Sequence, residues 1–197
     1  MSTYFTNFPT VNYNGVNSRD ITRRTNFVSS VLSSPYLFLP YTVKEGEKPE
    51  DIAYNYYGTI EATWLVLMAN NIVDPYNQWA LTYEHFAEYL ITKYASLSGR
   101  TGYDVIAWLQ DETILENIVY YYRKTTNGVE LKVSPDTFPY VYDIQNQIVG
   151  RDVAEGWTAL RLYEYEYAAN ESRREVIVVD RRYYEQINEE FKRIIKQ

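Results

Sequence analysis

Apolar and polar positions alternate along this chain in two rhythms, and the changes of rhythm mark its elements. Asp20 can cap a helix over about 21–33, where Ile21, Phe27, Val28, Val31 and Leu32 fall roughly on one face, with Ser34 and Pro35 ending it. The stretch 36–43, YLFLPYTV, is apolar and β-prone, and Pro40 points to an edge position or a break. Pro49 suits the first turn of a helix, Glu50 and Asp51 suit its positive end, and Ile52, Ala53 and Tyr56 give it a buried face. Gly58 then serves as its C-cap, since glycine takes φ > 0 without penalty. A second helix over about 60–70 is apolar on most sides through Trp64, Leu65, Leu67 and Met68, and ends at Asn70 and Asn71. VDPYNQWALT reads as a turn and a short returning strand, so 36–82 is expected to form a strand–helix–helix–strand module.

Outside that module the pattern predicts extensions. Residues 1–17 show no period and read as an extended arm, so 1–35 is an arm followed by a helix. Phe86, Ala87, Leu90, Tyr94 and Leu97 recur at helical spacing over about 83–97, and SGRTG breaks that helix. Residues 118–133 read as a β-hairpin turning at Asn127-Gly128. An irregular connection, SPDTFPYVYDI, follows, then a helix over about 156–171. EVIVV (175–179) reads as a strand, and Asp180 caps a last amphipathic helix carrying Tyr184, Ile187, Phe191, Ile194 and Ile195. The fold class is α+β, with 83–197 forming a helix, hairpin and strand–helix extension packed on the module.

Composition sharpens the picture in one respect. Hydrophobic residues are 46% and charged residues 23%, the balance of a folded protein with a core. The 22 Tyr, 7 Phe and 4 Trp are unusual, and they suit surfaces that are wet before contact and dry after it, as well as a small core with hydroxyls at its margin. The net charge of -7 and the lack of a long basic run argue against a nucleic-acid partner. No run approaches the roughly 18 apolar residues of a membrane span, and MSTYFTNFPTVNYNG has neither the basic start nor the apolar run of a secretory signal.

Candidate chemistry is sparse. There is no cysteine, so disulfides and thiolate metal sites are excluded. The single histidine, His85, has no second histidine at helical spacing to share a metal, and reads better as an exposed or capping residue. No phosphate-binding glycine loop, nucleophile elbow or dinucleotide fingerprint occurs. Asp104 and Glu112 could be named as a two-acid pair, but their spacing does not select them. Acids such as Glu84, Glu88, Glu185, Glu189 and Glu190 fall on solvated helix faces. The expectation is a protein without enzymatic activity, cofactor or metal.

Tyr41-Thr42-Val43, Gly46, Asp51-Ile52-Ala53, Tyr57-Gly58, Trp64, Asn70-Asn71 and Asp74-Pro75 together resemble a LysM module. That resemblance implies a βααβ unit whose loops, here Gly46 to Pro49 and Asn71 to Tyr76, grip cell-wall sugar in carbohydrate-binding members. KPEDIAYNYYG, TWLVLMANN and VDPYNQWALT also look like the LysM-like segment of the small baseplate wedge proteins of T-even-type contractile phages. The helix region around Asp20 and Ile21, the helix ending at Lys93-Tyr94 and the ending RREVIVVDRRYYEQINEEFKRIIKQ extend the likeness, which is poor over about 99–170.

The second resemblance implies a structural subunit of the virion's tail baseplate, assembled in the host cytoplasm. Its partners would be other wedge subunits and neighbouring copies of the wedge, with hub or first sheath-ring proteins nearby, and it would help join wedges into a six-fold ring. The module would dock through Tyr57, Asn71, Asp74, Pro75, Tyr76 and Trp79. Asn71 reads equally as a helix cap, Pro75 as a turn former and Trp79 as core. The alternative is a peptidoglycan-binding LysM protein associated with a lysin or cell-wall enzyme. A scaffold of a related contractile injection machine is a third reading.

Overall fold

The computed structural model describes residues 7–20, 36–138 and 156–195. In chain order the elements are β1 (Thr10–Tyr13), β2 (Val16–Arg19), β3 (Phe38–Thr42), α1 (Pro49–Tyr57), α2 (Thr63–Ala69), α3 (Pro75–Gln78), α4 (Tyr83–Ser98), α5 (Tyr103–Gln110), β4 (Ile118–Lys124), β5 (Glu130–Val133), β6 (Thr158–Arg161), α6 (Leu162–Ser172), β7 (Glu175–Val179) and α7 (Tyr184–Ile195). Single 3-10 turns occupy Ile60–Ala62 and Arg181–Tyr183. They fall into two units, one made of residues 1–80 and 173–197, the other of residues 81–172.

In the first unit, the segment expected as an extended arm contains a hairpin. β1 and β2 pair antiparallel around Asn14 and Gly15, both at positive φ, which is the geometry a two-residue turn requires. The Asp20 N–H closes the base of the hairpin by donating to the Pro9 carbonyl. The helix expected over 21–33 lies outside the described residues. Phe8, just before the hairpin, is buried with Phe191 and Ile195 of α7, and the ring of Trp64 stacks on Phe191 at 4.2 Å.

The helices α1 and α2 form where their sequences signal them. Pro49 opens α1, the Lys48 N–H donates to the Asp51 carboxylate, and Gly58 ends the helix at φ 81°. Ile52, Ala53, Leu65 and Val66 are buried from solvent and meet Leu37, Val43 and Trp79 in one core.

The fourth element of the module differs from expectation. VDPYNQWALT does not form a strand: Asp74 caps the short helix α3, with Pro75 in its first turn. An Asp-Pro pair is a helix-start signal, and here it outweighs the β-prone flanks. The strand beside β3 comes instead from β7, whose β-branched run EVIVV pairs antiparallel with it. Val176, Val178 and Val179 then complete the core that α1 and α2 began.

The register explains Pro40. It stands opposite Ile177, and the Ile177 N–H and C=O both turn away from β3, to the side-chain amide of Asn70. The Pro40–Ile177 pair is therefore a non-hydrogen-bonded one, and the proline nitrogen faces the outer edge of β3 where the ladder needs no donor. The other edge of β7 is covered from the helices. Asn70 bonds Ile177 on both sides and also donates to Val66, while the Tyr57 hydroxyl donates to the Val179 carbonyl.

The second unit contains α4, α5, α6 and a three-stranded sheet in the order β5-β4-β6. The expected hairpin is present as β4 and β5. Helix α5 and strand β6 were not legible in advance, and the helix expected over 156–171 is β6 followed by α6. Most of SPDTFPYVYDI lies outside the described residues.

Three buried polar groups organise this unit. Asn117, fully buried, donates to the carbonyls of Trp108, Leu109 and Asp111, and accepts from Arg161, whose guanidinium also reaches the carbonyls of Glu112 and Ile114. The last carbonyls of α5 are thereby satisfied by side chains. The Asn170 amide pairs with both backbone groups of Leu81. Glu166 accepts from Tyr94 at 2.6 Å, Lys93 at 2.7 Å and Tyr89 at 3.1 Å.

Candidate protein interface

Of the residues singled out from the sequence, Asn71, Asp74, Pro75 and Tyr76 lie at the turn between α2 and α3 of the first unit and in the first turn of α3, Trp79 follows α3, and Tyr57 ends α1. Asn71 adopts φ 53° and is exposed, and its N–H donates to Met68 as α2 ends. This is the left-handed capping conformation that asparagine tolerates. Asp74 accepts from the Tyr76 N–H at 3.1 Å and from the Asn77 amide at 2.6 Å, and Pro75 begins the helix it caps. The N–H groups of Val73 and Asp74 both donate to the Gln78 side chain at 2.8 Å. The loop is thus held by its own hydrogen bonds.

Tyr76 projects from this loop with 89% of its surface exposed, and Val73 with 88%. Sequence reasoning named Tyr76 and passed over Val73. The signal for Val73 was present: an apolar residue between the turn formers Asn71 and Asp74 has no periodic position that would carry it inward.

Tyr57 and Trp79 lie deeper. Trp79 is only 7% exposed and belongs to the core. Its indole N–H donates to the Glu47 carbonyl at 2.8 Å. Tyr57 is half-buried and bonded to Val179, and burial pushes its hydroxyl well above the ordinary tyrosine range. Trp79 sits in the core and is tied to the turn of Glu47, and Tyr57 lies against β7, whereas Asn71, Asp74, Pro75 and Tyr76 are at or near the surface.

The opposite turn is organised by Glu47, which the sequence did not single out. Its carboxylate accepts from the Tyr41 hydroxyl at 2.8 Å and from the Lys44 N–H at 3.0 Å, while its carbonyl receives the Trp79 indole. Burial, reinforced by the Glu47 carboxylate, pushes the Tyr41 hydroxyl up to about 12. A turn glutamate looks like a solvated charge in sequence, so nothing marked this role. The loops of 44–48 and 71–79 are therefore joined by a hydrogen bond through Trp79.

The arrangement presents apolar surface on a stiff support, a geometry suited to contact with another protein. No cluster of three or more histidine, aspartate or glutamate side chains able to hold a metal occurs among the described residues. The second unit keeps Asp104 and Glu112 on its surface.

Comparison with known proteins adds the following. A family model described as base plate wedge protein 53 matches residues 2–196. The baseplate wedge protein gp53 of Enterobacteria phage T4 is 27% identical over 146 residues, covering 73% of this chain and 66% of that protein. The match spans just under two thirds of the T4 protein's length.

Proposed function

Because the chain belongs to the base plate wedge protein 53 family of phage tail baseplate components, we propose that it is a structural subunit that binds neighbouring wedge subunits and helps join wedges into a six-fold ring around the hub. It acts by binding, without catalysis. A ring closes through heterologous contacts, so each copy must offer two different faces. The loop of Asn71 to Gln78 supplies one of them, with Tyr76 and Val73 as the side chains that a partner covers and Asn71, Asp74 and Pro75 shaping the surface around them. Partners are other wedge subunits and neighbouring copies of the wedge, with hub or first sheath-ring proteins next to them.

The observation that carries this reading is the near-complete exposure of Tyr76 and Val73 on a loop fixed by its own hydrogen bonds. A loop backbone already held in place loses little entropy on binding, and tyrosine is among the residues enriched at the centres of such contacts. The bond from Trp79 to Glu47 also links the two loops that would flank a glycan in a sugar-gripping module, which favours a protein partner.

The test is co-assembly of the full-length protein with the wedge subunits encoded beside it. Tyr76→Ala and Val73→Asp should each abolish or strongly weaken the complex while leaving the melting temperature unchanged. Co-sedimentation of the protein with insoluble peptidoglycan, with no complex formed with wedge subunits, would overturn the reading in favour of a cell-wall binder.

A further inference from the structure

The second unit has a sheet edge, unpaired among the described residues, whose sequence is complementary to itself, and we infer that strand β5 pairs antiparallel with β5 of a second copy of this chain. β5 pairs with β4 on one side, and among the described residues no strand lies on the other. The register fixes which groups face outward. Thr125 and Val129 are joined by a backbone hydrogen bond across the turn, so Arg123–Leu131 and Tyr121–Val133 are the hydrogen-bonded pairs of the β4–β5 ladder. The N–H and C=O of Glu130 and of Lys132 consequently point away from β4 to the outer edge.

Residues 129–133 read Val-Glu-Leu-Lys-Val. Antiparallel pairing about Leu131 sets Glu130 of one copy opposite Lys132 of the other, twice. It sets Leu131 opposite Leu131, and Val129 opposite Val133. The outward backbone groups of Glu130 and Lys132 then meet as hydrogen-bonded pairs, and the two Leu131 side chains meet at the closer, non-hydrogen-bonded position. All three apolar pairs share one face of the joined sheet and both charge pairs share the other. Val129 is 58% exposed and Leu131 41%, so apolar surface is available to be covered.

The charges also select the register. Centring the pair on Glu130 opposes two glutamates, and centring it on Lys132 opposes two lysines, each a repulsive arrangement. Within one copy Lys132 already lies 3.3 Å from Glu130 and 4.7 Å from the ring centre of Tyr120, so its ammonium is held on the face where the second glutamate would arrive.

A contrast inside the molecule supports the inference. The outer edge of β3, on which no strand lies among the described residues, carries Pro40 with its nitrogen outward, a common way of blocking strand addition. β5 has no proline and no bulge. The result would be a continuous sheet across a two-fold axis between two free copies, β5 against β5, an isologous contact separate from the heterologous ones that close a ring and built from surface that the proposed Tyr76 contact does not use.

Sedimentation of the full-length protein over a concentration series tests this. Wild type should shift from monomer to dimer as concentration rises. Lys132→Glu alone and Glu130→Lys alone should each weaken self-association about tenfold or more, since both cross-strand pairs become repulsive. Mixing these two variants should restore a dimer, because one then supplies only glutamate and the other only lysine at the facing positions. Lys132→Pro, which removes an outward N–H and leaves the β4 ladder intact, should remain monomeric with an unchanged far-UV spectrum. A wild type that stays monomeric throughout, or single variants that dimerise as well as wild type, would overturn the inference.

Discussion

The indole nitrogen of Trp79 and the carbonyl oxygen of Glu47, 2.8 Å apart, are the point at which two turns distant in sequence are joined. Trp79 fills the core with its rings and spends its one polar group on the neighbouring turn. Trp79→Phe keeps most of the packing and leaves that carbonyl without its donor, and should cost about 1–2 kcal/mol. Trp79→Ala opens a cavity and should cost about 3–5 kcal/mol. Urea denaturation of the two variants gives both values. Equal losses would show that the hydrogen bond, and not the bulk, is what matters.

Asn70 acts as a stand-in strand for β7. Its amide meets both backbone groups of Ile177 and the Val66 carbonyl. Asn70→Ala should destabilise the protein by about 2–3 kcal/mol, because several backbone groups lose partners at once. Asn70→Asp should be worse, since a carboxylate would face two carbonyls and could replace neither donated bond. Amide hydrogen exchange at Ile177 should accelerate in both variants ahead of Val176 and Val178, whose bonds run to β3.

Stability should fall at high pH through Tyr41. Its hydroxyl titrates at about 12 in the folded protein against 10.0 ordinarily, so between these values the folded state binds the proton that the unfolded state has released. The contribution is complete below pH 10 and lost as the pH rises toward about 12. Burial raises Tyr57 and Tyr94 in the same direction. Melting temperatures recorded across this range should decline, and Tyr41→Phe should decline less steeply than wild type.

Glu166 governs the acid side in the second unit. Burial alone would raise its carboxyl, but donors from Lys93, Tyr94 and Tyr89 outweigh that and hold it below the usual glutamate value of 4.5. Its stabilisation is present above that value and lost as the pH falls through the lower folded one. Glu166→Gln should cost about 2 kcal/mol at neutral pH, leaving Lys93 without its charge partner. Urea midpoints measured at neutral and acid pH should show a smaller acid loss in the variant than in wild type.

The helices and strands with local signatures were readable from the chain. Pro49 with Asp51, Gly58, Asn71 and the EVIVV run each announced an element in its own few residues, and each is found. The Asn14-Gly15 and Asp74-Pro75 signals were equally local but were outweighed in the reading by an apparently irregular arm and an expected returning strand. The pairing of β3 with β7 was not readable, because register across so long a separation is set by packing against α1 and α2. At the interface, exposure of Tyr76 followed from its place in a turn, whereas the depth of Trp79 depended on a carbonyl 32 residues earlier.

The pairing of β3 with β7 also bears on how the protein is made. Thr42 and its partner Glu175 are separated by 133 residues. A ribosome therefore releases β3, α1 and α2 well before the strand that completes them exists, and the whole of residues 81–172 emerges in between. The second unit can fold on the nascent chain while the first waits with a half-built sheet. A polypeptide released early, short of Glu175, would keep the Asn70 amide and the Tyr57 hydroxyl without their strand, so only chains translated past that point acquire the finished first unit.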